Sequence, residues 1–278
     1  MQIRITTLSE NTVSRVGLLA EHGLSILVET DRLNILLDTG LSISASYNAD
    51  TLGVDLSKID KIVLSHGHHD HTGGLQQVLR KMKKKIEVFA HPDMWTNKYA
   101  RREGQDARYC GIPFRRQELE NLGALFNLTT EPVKINNNIM TTGEIPMVTD
   151  FEHIASNLYV KKNSTFIPDK LLDDQALIIK TERGLAILLG CAHRGIINTI
   201  YHAQQLTGVK QIATVIGGCH LVGATEEQVL LTINALKELE VQSIGVSHCT
   251  SLPAAVMIAH EFGDKFFFNN AGTRIDLD

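Results

Sequence analysis

Four histidines and one aspartate lie within the six consecutive positions from His66 to His71, in the segment LSHGHHDHTGG. Imidazole nitrogens and carboxylate oxygens are the usual protein ligands of Zn²⁺, Fe²⁺ and Mn²⁺ in hydrolytic sites. His66 and His68 are two residues apart, so in an extended segment they project to the same side and can bind one ion. Asp70 and His71 follow where the chain turns and can reach a second ion. The loop therefore predicts a metal site that activates water.

Apolar segments on both sides of this loop predict the elements that hold it. KIVLS, at 61 to 65, predicts a buried strand that runs directly into the loop. After the loop, the apolar residues of GGLQQVLRKM recur at helical spacing and predict a helix. Upstream, LSILVET and LNILLDTG are separated only by Asp-Arg and predict a β-hairpin that ends at Asp38. The loop is thus expected between the end of a strand and the start of a helix.

In the second half of the chain, apolar strands alternate with segments of helical periodicity. ALIIKTERGLAILLG predicts two strands joined by a turn, and IATVIGG and SIGVS predict two more. This alternation predicts an α/β architecture with a largely buried sheet. The helices are predicted at 196–206, 226–240 and 253–262.

Three predicted strands of this half each end in a histidine. GCAH ends at His193, GGCH ends at His220, and VSHC contains His248. Ligand sites of α/β sheets collect beyond the carboxyl ends of the strands. We therefore expect these histidines to face the loop from His66 to His71 and to supply the other half of the metal site.

The segment HGHHDH, together with the upstream aspartate of ILLDTG, resembles the H-x-H-x-D-H signature of the metallo-β-lactamase superfamily. The resemblance covers essentially the whole chain and implies one domain, residues 1–278, with a four-layer αβ/βα sandwich fold. It implies that Asp38 orients the histidine loop, and that Asp70 binds a metal ion and holds the nucleophile. LGVDLSKIDKIVLSHGHHDHTGGL, GCAHRGIIN, IGGCHL and SHCT resemble one branch, which includes metal-dependent hydrolases and enzymes named after a methanopterin-pathway synthase.

The chain departs from the superfamily pattern at one position. Cys191 of GCAH stands where a metal-bridging aspartate is expected. His220 and His248 both compete for the final ligand position, so one or two divalent ions are expected, zinc first and iron or manganese as alternatives. Cys219 and Cys249 also lie beside strand-end histidines, and either pack as small apolar residues or act as thiolates. The candidate ligands are His66, His68, Asp70, His71, Cys191, His193, His220 and His248.

Residues 92–123 fit neither a clean strand nor one long helix, and they are rich in basic residues. One interpretation is a solvated surface without a ligand role. The other is a lid over the metal site, whose arginines bind a phosphate or carboxylate through the guanidinium fork. The candidate substrate-binding residues of this segment are Arg102, Arg108 and Arg115.

Composition limits the classes of partner. The formal net charge of −4 argues against a general nucleic-acid-binding protein, which would normally be strongly basic. No apolar stretch approaches the ~18 residues that span a bilayer, and the N-terminus alternates like a strand rather than a signal peptide. The four cysteines include no close CxxC pair, which favours a reducing compartment, and hence the cytoplasm. The oligomeric state stays open.

These observations favour a metal-dependent hydrolase that acts through activated water on an anionic, phosphorylated small molecule. The branch resemblance implies an alternative, a transferase that condenses a pterin pyrophosphate with a ribofuranosylaminobenzene phosphate. A lesser alternative is an iron-based redox enzyme that depends on an outside electron donor. A non-catalytic sensor that uses the same pocket is a further alternative, and β-lactam hydrolysis is not expected.

Overall fold

The structure is a computed structural model that describes residues 2–277. Runs rich in Ile, Val and Leu form its strands, as their β-propensity predicts. The strands are, in chain order, β1 (Ile3–Ser9), β2 (Ser25–Thr30), β3 (Asn34–Leu37), β4 (Lys61–Val63), β5 (Ile86–Ala90), β6 (Lys98–Ala100), β7 (Arg108–Tyr109), β8 (Ala124–Leu128), β9 (Ile139–Thr141), β10 (Leu158–Lys162), β11 (Thr165–Pro168), β12 (Leu177–Thr181), β13 (Gly184–Leu188), β14 (Ile212–Gly218), β15 (Ile244–Ser247), β16 (Phe266–Phe268) and β17 (Arg274–Leu277). The helices are α1 (Ser44–Thr51), α2 (His69–Thr72), α3 (Leu75–Met82), α4 (Arg116–Asn121), α5 (Ile196–Thr207), α6 (Glu226–Glu238) and α7 (Leu252–Phe262).

The first sheet has seven strands in the order β17-β1-β2-β3-β4-β5-β8. Strands β17 to β3 pair antiparallel along this order, whereas β3, β4, β5 and β8 run parallel. The hairpin predicted to end at Asp38 is confirmed as β2 and β3, in which Ile26 pairs with Leu37. The predicted strand before the histidine loop is β4, at the centre of the parallel part of this sheet.

The second sheet has six strands in the order β16-β15-β14-β13-β12-β9. Strands β13, β14, β15 and β16 run parallel, and α5, α6 and α7 connect them. These strands and helices were predicted from the alternation of apolar runs and helical periodicity. The parallel arrangement brings the carboxyl ends of β13, β14 and β15 to one edge, so the histidines that follow these strands lie close together.

The two sheets pack face to face over one apolar cluster. Ile5, Val28 and Val63 of the first sheet contribute to it, together with Ile179 and Leu188 of the second. Helices cover the two outer faces. On the first sheet, α3 buries the four apolar side chains that predicted it, each stabilising the fold by about 1.5–3 kcal/mol. On the second sheet, α5, α6 and α7 pack over a separate cluster. The resulting order helix–sheet–sheet–helix is the predicted four-layer αβ/βα sandwich.

A small sheet of four strands, in the order β11-β10-β6-β7, lies beside the histidine loop. Segment 92–123 contributes β6, β7 and α4, so it divides between this small sheet and the outer face of the first sheet, where Leu119 is buried. Its middle part contacts the loop: Gly111 forms an isolated bridge with His68, and the His69 N–H donates to the Cys110 carbonyl. The extent of the single domain, 1–278, stays a prediction. Within the described residues, no helix is both long enough and apolar enough to cross a membrane.

Candidate metal centre

Asp38 connects the first sheet to the histidine loop. Its Oδ1 accepts a hydrogen bond from the backbone N–H of Ser65 at 2.7 Å, and its Oδ2 accepts one from the Ser65 hydroxyl at 2.6 Å. The same Oδ2 accepts the Nδ1–H of His71 at 2.7 Å. Asp38 is completely buried and therefore fixes both the start of the loop and the orientation of one of its imidazoles. This geometry is consistent with the predicted orienting role.

Three histidines converge at the end of β4 and β13. His66, His68 and His193 each offer one ring nitrogen, and these atoms lie within 4.8 Å of one another. Burial lowers the pKa of His68 to about 3, and it lowers the pKa values of His66 and His193 well below their usual range. All three imidazoles are therefore neutral near pH 7, which is the form that binds a metal ion. We name this group the tri-histidine position.

Unpaired buried nitrogens are a second observation that supports metal binding at the tri-histidine position. The Nε2 atom of His68 and both ring nitrogens of His193 are buried without a hydrogen-bond partner among the described residues. Buried polar atoms in proteins almost always have a partner, because leaving them unpaired costs about 1–3 kcal/mol. Converging neutral imidazoles, three of whose nitrogens are unpaired among the described residues, have the chemistry of a ligand set for a divalent transition-metal ion.

A second group of donors surrounds His71. Its Nε2 atom lies 3.1 Å from the Sγ of Cys191 and 3.2 Å from the Nε2 of His248. Asp70 lies at the other side of His248, with its Oδ2 atom 3.3 Å from His248 Nε2. Burial lowers the pKa of His71, but the Asp38 carboxylate more than compensates and raises it to about 9. A carboxylate on the far nitrogen of an imidazole is the usual partner of a metal-binding histidine.

Cys191 lies between the two groups of donors. Its sulfur is within 4.8 Å of ligand atoms in each of three sets: with His66 and His71, with His193 and His220, and with His248 and Cys249. Burial raises the pKa of the Cys191 thiol well above its usual range, so a nearby positive charge such as a metal ion is needed to favour its thiolate. The central location is the one expected of a bridging group.

His220 and His248, which the sequence left as competitors, both face the site. His248 contacts His71 and Asp70, whereas the ring of His220 lies 4.0 Å from the ring of His193, between centroids. The two histidines therefore serve different parts of the centre rather than one shared position. Their roles as ligands stay predictions.

Backbone strain marks the ends of four strands at this site. Asp38, Ala192, His220 and His248 adopt left-handed conformations, with φ values of 57°, 50°, 44° and 54°. Such conformations cost non-glycine residues about 1–3 kcal/mol each and are concentrated at functional sites. Surrounding hydrogen bonds hold one of them: the His248 N–H donates to Glu10 Oε1 at 2.7 Å. The side chains of three of these residues, Asp38, His220 and His248, contact the donor groups described above.

A cavity of about 370 Å³ opens over both groups of donors, and this volume is typical of small-molecule sites. Arg108 of β7 lines it, and its role in substrate binding stays a prediction. Arg102 and Arg115 are not among the described residues of the cavity wall, because Arg102 lies in the loop between β6 and β7 and Arg115 lies at the start of α4. The remaining wall residues include Ala100, Leu158, Val222, His22 and Ser251.

Comparison with known proteins agrees with this geometry. A sequence model of the metallo-beta-lactamase superfamily matches residues 19–134. The chain is 33% identical, over 97% of its length and 95% of the relative, to 7,8-dihydropterin-6-methyl-4-(beta-D-ribofuranosyl)-aminobenzene-5'-phosphate synthase of Methanocaldococcus jannaschii. The chain belongs to the metallo-β-lactamase superfamily.

Solved structures of the superfamily share the fold. A metal-dependent hydrolase of the beta-lactamase superfamily matches with a TM-score of 0.84 and 27% identity, over 98% of both chains. The metallo-beta-lactamase fold protein YhfI from Bacillus subtilis matches with a TM-score of 0.62 and 11% identity, over 99% of this chain and 100% of its own, and it supports the fold alone. Members of the metallo-β-lactamase superfamily typically bind divalent metals, which agrees with the converging donors described above.

Sequence reasoning missed the roles of two residues in this metallo-β-lactamase centre, His22 and Lys98. His22 was given no role, but its Nδ1 atom lies 3.4 Å from Asp70 Oδ2, and its ring lies 4.8 Å from that of His248. Burial favours a higher pKa for Asp70, but its close contacts with His22 and His248 lower that pKa well below its usual range. No local pattern around His22 indicates this contact. No pattern around the buried Lys98 indicates its role either. Cys249, which the sequence offered as a packed residue or a thiolate, lies beside Cys191 and His248.

Proposed function

We propose that this chain is a metal-dependent transferase, in which an arylamine nitrogen displaces pyrophosphate from the methylene carbon of an activated pterin. The C–O bond to pyrophosphate breaks as the C–N bond forms, and the amine loses a proton. The 33% identity to the methanopterin-pathway synthase, which extends over nearly the whole of both chains, carries this proposal. It favours the transferase over the hydrolase that the histidine loop alone suggested.

The donor groups support a role in holding a pyrophosphate leaving group. His66, His68 and His193 form one set of donors, and His71, Cys191 and His248 form the neighbouring set. A divalent ion bound by the first set would neutralise the charge that develops on the leaving pyrophosphate. We propose zinc as the ion, because imidazole and thiolate are its preferred ligands in proteins.

The cavity wall supports binding of an anionic substrate with a planar ring. Arg108 offers a guanidinium fork that matches a phosphate group. His22 lies at the same wall, and a hydrogen bond with Asp70 raises its pKa. Ala100, Leu158 and Val222 provide an apolar surface against which a pterin or benzene ring could pack.

Measurement of pyrophosphate release tests the proposed transferase reaction. The zinc-loaded protein is incubated with a hydroxymethyl-dihydropterin pyrophosphate, with and without a ribofuranosylaminobenzene phosphate, and pyrophosphate and the coupled product are quantified. The proposal expects pyrophosphate release only when the arylamine is present, with one coupled product per pyrophosphate. The His68→Ala variant is the control for contaminating activity. Release that does not depend on the arylamine would contradict the transferase.

The second candidate is hydrolysis of a phosphorylated small molecule by activated water. The metal-dependent hydrolase that matches over 98% of both chains favours it. It predicts that phosphate or pyrophosphate is released without an acceptor, so the same assay separates the two functions. A panel of phosphoesters and lactones extends the test if no pterin compound reacts.

For the cellular setting, we propose a cytoplasmic enzyme whose partners are small anionic molecules rather than nucleic acids or membranes. The net charge of −4 supports the absence of a nucleic-acid partner. Fractionation of cells that express the chain, followed by immunodetection, tests the location.

A further inference from the structure

Cys249 brings a second sulfur into the centre. Cys191, Cys249 and His248 each offer one ligand atom, and the three atoms lie within 4.8 Å of one another. All three residues are buried. Cys249 follows His248 in a turn of 3₁₀ helix after β15, whereas Cys191 follows β13, so the two sulfurs reach the same place from different strands.

The neighbouring backbone leaves space for the second sulfur. A Cβ atom on Gly218, the last residue of β14, would lie 2.5 Å from Cys249 Sγ, closer than real contacts allow. A side chain at this position would therefore displace the sulfur from the cluster. The backbone N–H of His220 also points at this sulfur, with an N–Sγ distance of 3.3 Å. Such a hydrogen bond stabilises a thiolate more than a thiol.

The imidazole of His248 is already oriented for this cluster. Its Nδ1 atom contacts Asn11 Oδ1 at 2.9 Å, so Nδ1 carries the proton and Nε2 is left as the donor atom. His71 Nε2 lies 3.2 Å from that Nε2 and 3.1 Å from Cys191 Sγ. His71 thus contacts both Cys191 and His248, and with Cys249 the four side chains offer two sulfurs and two imidazoles.

We propose that Cys191, Cys249, His248 and His71 form a sulfur-rich position for a thiophilic divalent ion such as Zn²⁺. Two thiolates and two imidazoles complete a tetrahedral shell, which is typical of closed, structural zinc positions. The tri-histidine position supplies only three protein ligands, the number that leaves an open place for substrate. The two positions therefore have different roles. The ion at the sulfur-rich position connects the ends of the strands, whereas the ion at the tri-histidine position takes part in the reaction. The inference rests on metal binding alone and holds for either reaction considered above.

Cobalt substitution tests the proposal directly, because Co²⁺ bound to thiolate absorbs in the near ultraviolet, whereas Co²⁺ bound only to imidazole and carboxylate does not. The metal-free full-length chain is titrated with Co²⁺, and absorption is recorded for the wild type and for Cys249→Ser, Cys191→Ser and Cys219→Ser. Cys219 is the matched control, since it is buried close by but belongs to none of the donor groups among the described residues.

The wild type is expected to show the near-ultraviolet band, with Cys249→Ser and Cys191→Ser each losing about half of it and Cys219→Ser keeping it. Cys249→Ser is also expected to bind Cd²⁺, a soft ion, at least ~10-fold more weakly than the wild type does. Loss of a residue that only supports a metal ligand already lowers metal affinity by about this factor, so loss of a ligand should lower it at least as much. Bound Co²⁺ without the band, or a Cys249→Ser spectrum identical to the wild type, overturns the proposal and leaves the reaction unaffected. Absence of Co²⁺ and Zn²⁺ binding overturns it together with the metal-dependent function.

A measurement on the wild type keeps the test independent of folding in the variants. The ¹¹³Cd chemical shift of the cadmium-loaded protein distinguishes ions with two sulfur ligands from ions bound by nitrogen and oxygen. Two resonances are expected, one typical of two sulfurs and one typical of imidazole ligands. Resonances of the nitrogen and oxygen type alone would overturn the proposal.

Discussion

Lys98 and Asp173 form an ion pair of 2.9 Å inside the protein, where Lys98 is only 1% exposed. The other oxygen of Asp173 accepts a hydrogen bond from the backbone N–H of Gly67 at 2.8 Å. Gly67 lies between His66 and His68, so the charge on Asp173 holds the histidine loop. Lys98 belongs to β6 and also contacts Asp169 at 2.9 Å, which links the small sheet to the metal centre.

Replacing Lys98 by methionine is expected to destabilise the protein by roughly 3–5 kcal/mol, because two buried carboxylates lose their shared cation. The histidine loop should also lose order, and the affinity for zinc should fall about 10–100-fold, as for other residues that support ligands. Urea unfolding and zinc titration measure the two effects. Lys162→Met is the control on the exposed end of β10, where a change within about 0.5 kcal/mol is expected. Unchanged zinc affinity in Lys98→Met would contradict the link to the loop.

The tri-histidine position predicts the effect of His68→Ala. Removal of one of three imidazoles should eliminate about one metal equivalent per chain and abolish turnover, because two protein ligands hold zinc poorly. Plasma mass spectrometry on protein purified without added metal gives the stoichiometry. His260→Ala, on an exposed turn of α7, should retain the wild-type metal content. Metal-dependent turnover that survives in His68→Ala would rule out the ligand assignment.

Arg108 is the arginine whose loss should weaken substrate binding. Arg108→Ala is expected to raise KM about 10–100-fold with a smaller change in kcat, since a hydrogen bond to a charged group contributes about 1.5–3 kcal/mol. Arg102→Ala provides the matched control, because Arg102 does not line the described cavity. Steady-state kinetics with the pterin pyrophosphate measures both variants. Equal effects of the two changes would show that the cavity wall does not bind the phosphate.

Asp174 gives a prediction about pH. Burial raises the pKa of Asp174 to about 7 from its ordinary 3.8, and its Oδ1 atom is buried without a partner among the described residues. The folded state therefore holds a proton that the unfolded chain releases, and stability falls as the pH rises from about 4 to about 7. Asp174→Asn should remove this dependence and be more stable than the wild type at pH 8, by up to ~4 kcal/mol.

Denaturant unfolding of both proteins between about pH 5 and about pH 8, at equal metal content, checks this expectation. Asp150→Asn changes an exposed carboxylate and should leave the pH dependence of the wild type intact. A difference between Asp174→Asn and the wild type that does not grow with pH would contradict the prediction.

Local patterns were enough to predict the elements around the histidine loop and those from β12 to α7, but not the small sheet of β6, β7, β10 and β11. The alternation around β2 and β3 and the helical spacing in α3 depend only on neighbouring residues, so both could be read from the sequence. The parallel strands of the α/β fold then brought His193, His220 and His248 to one edge. The superfamily resemblance supplied the pairing of that edge with the histidine loop.

Contacts between distant segments could not be predicted in this way. His22 meets Asp70, and Lys98 meets Asp173, without any motif around either partner. Arg102 and Arg108 have similar surroundings in the sequence, and only the pairing of β6 with β7 decides which of them reaches the cavity. These relationships depend on tertiary packing, which no short window contains.

The contact between His71 and Cys191 joins residues 120 positions apart, one attached to each of the two large sheets. An ion bound by both would act as a cross-link between the halves of the chain. Closing so long a loop restricts the unfolded chain strongly, as a disulfide does. Zinc would then be part of the architecture as well as the chemistry, and a chelator would be expected to loosen the sandwich itself.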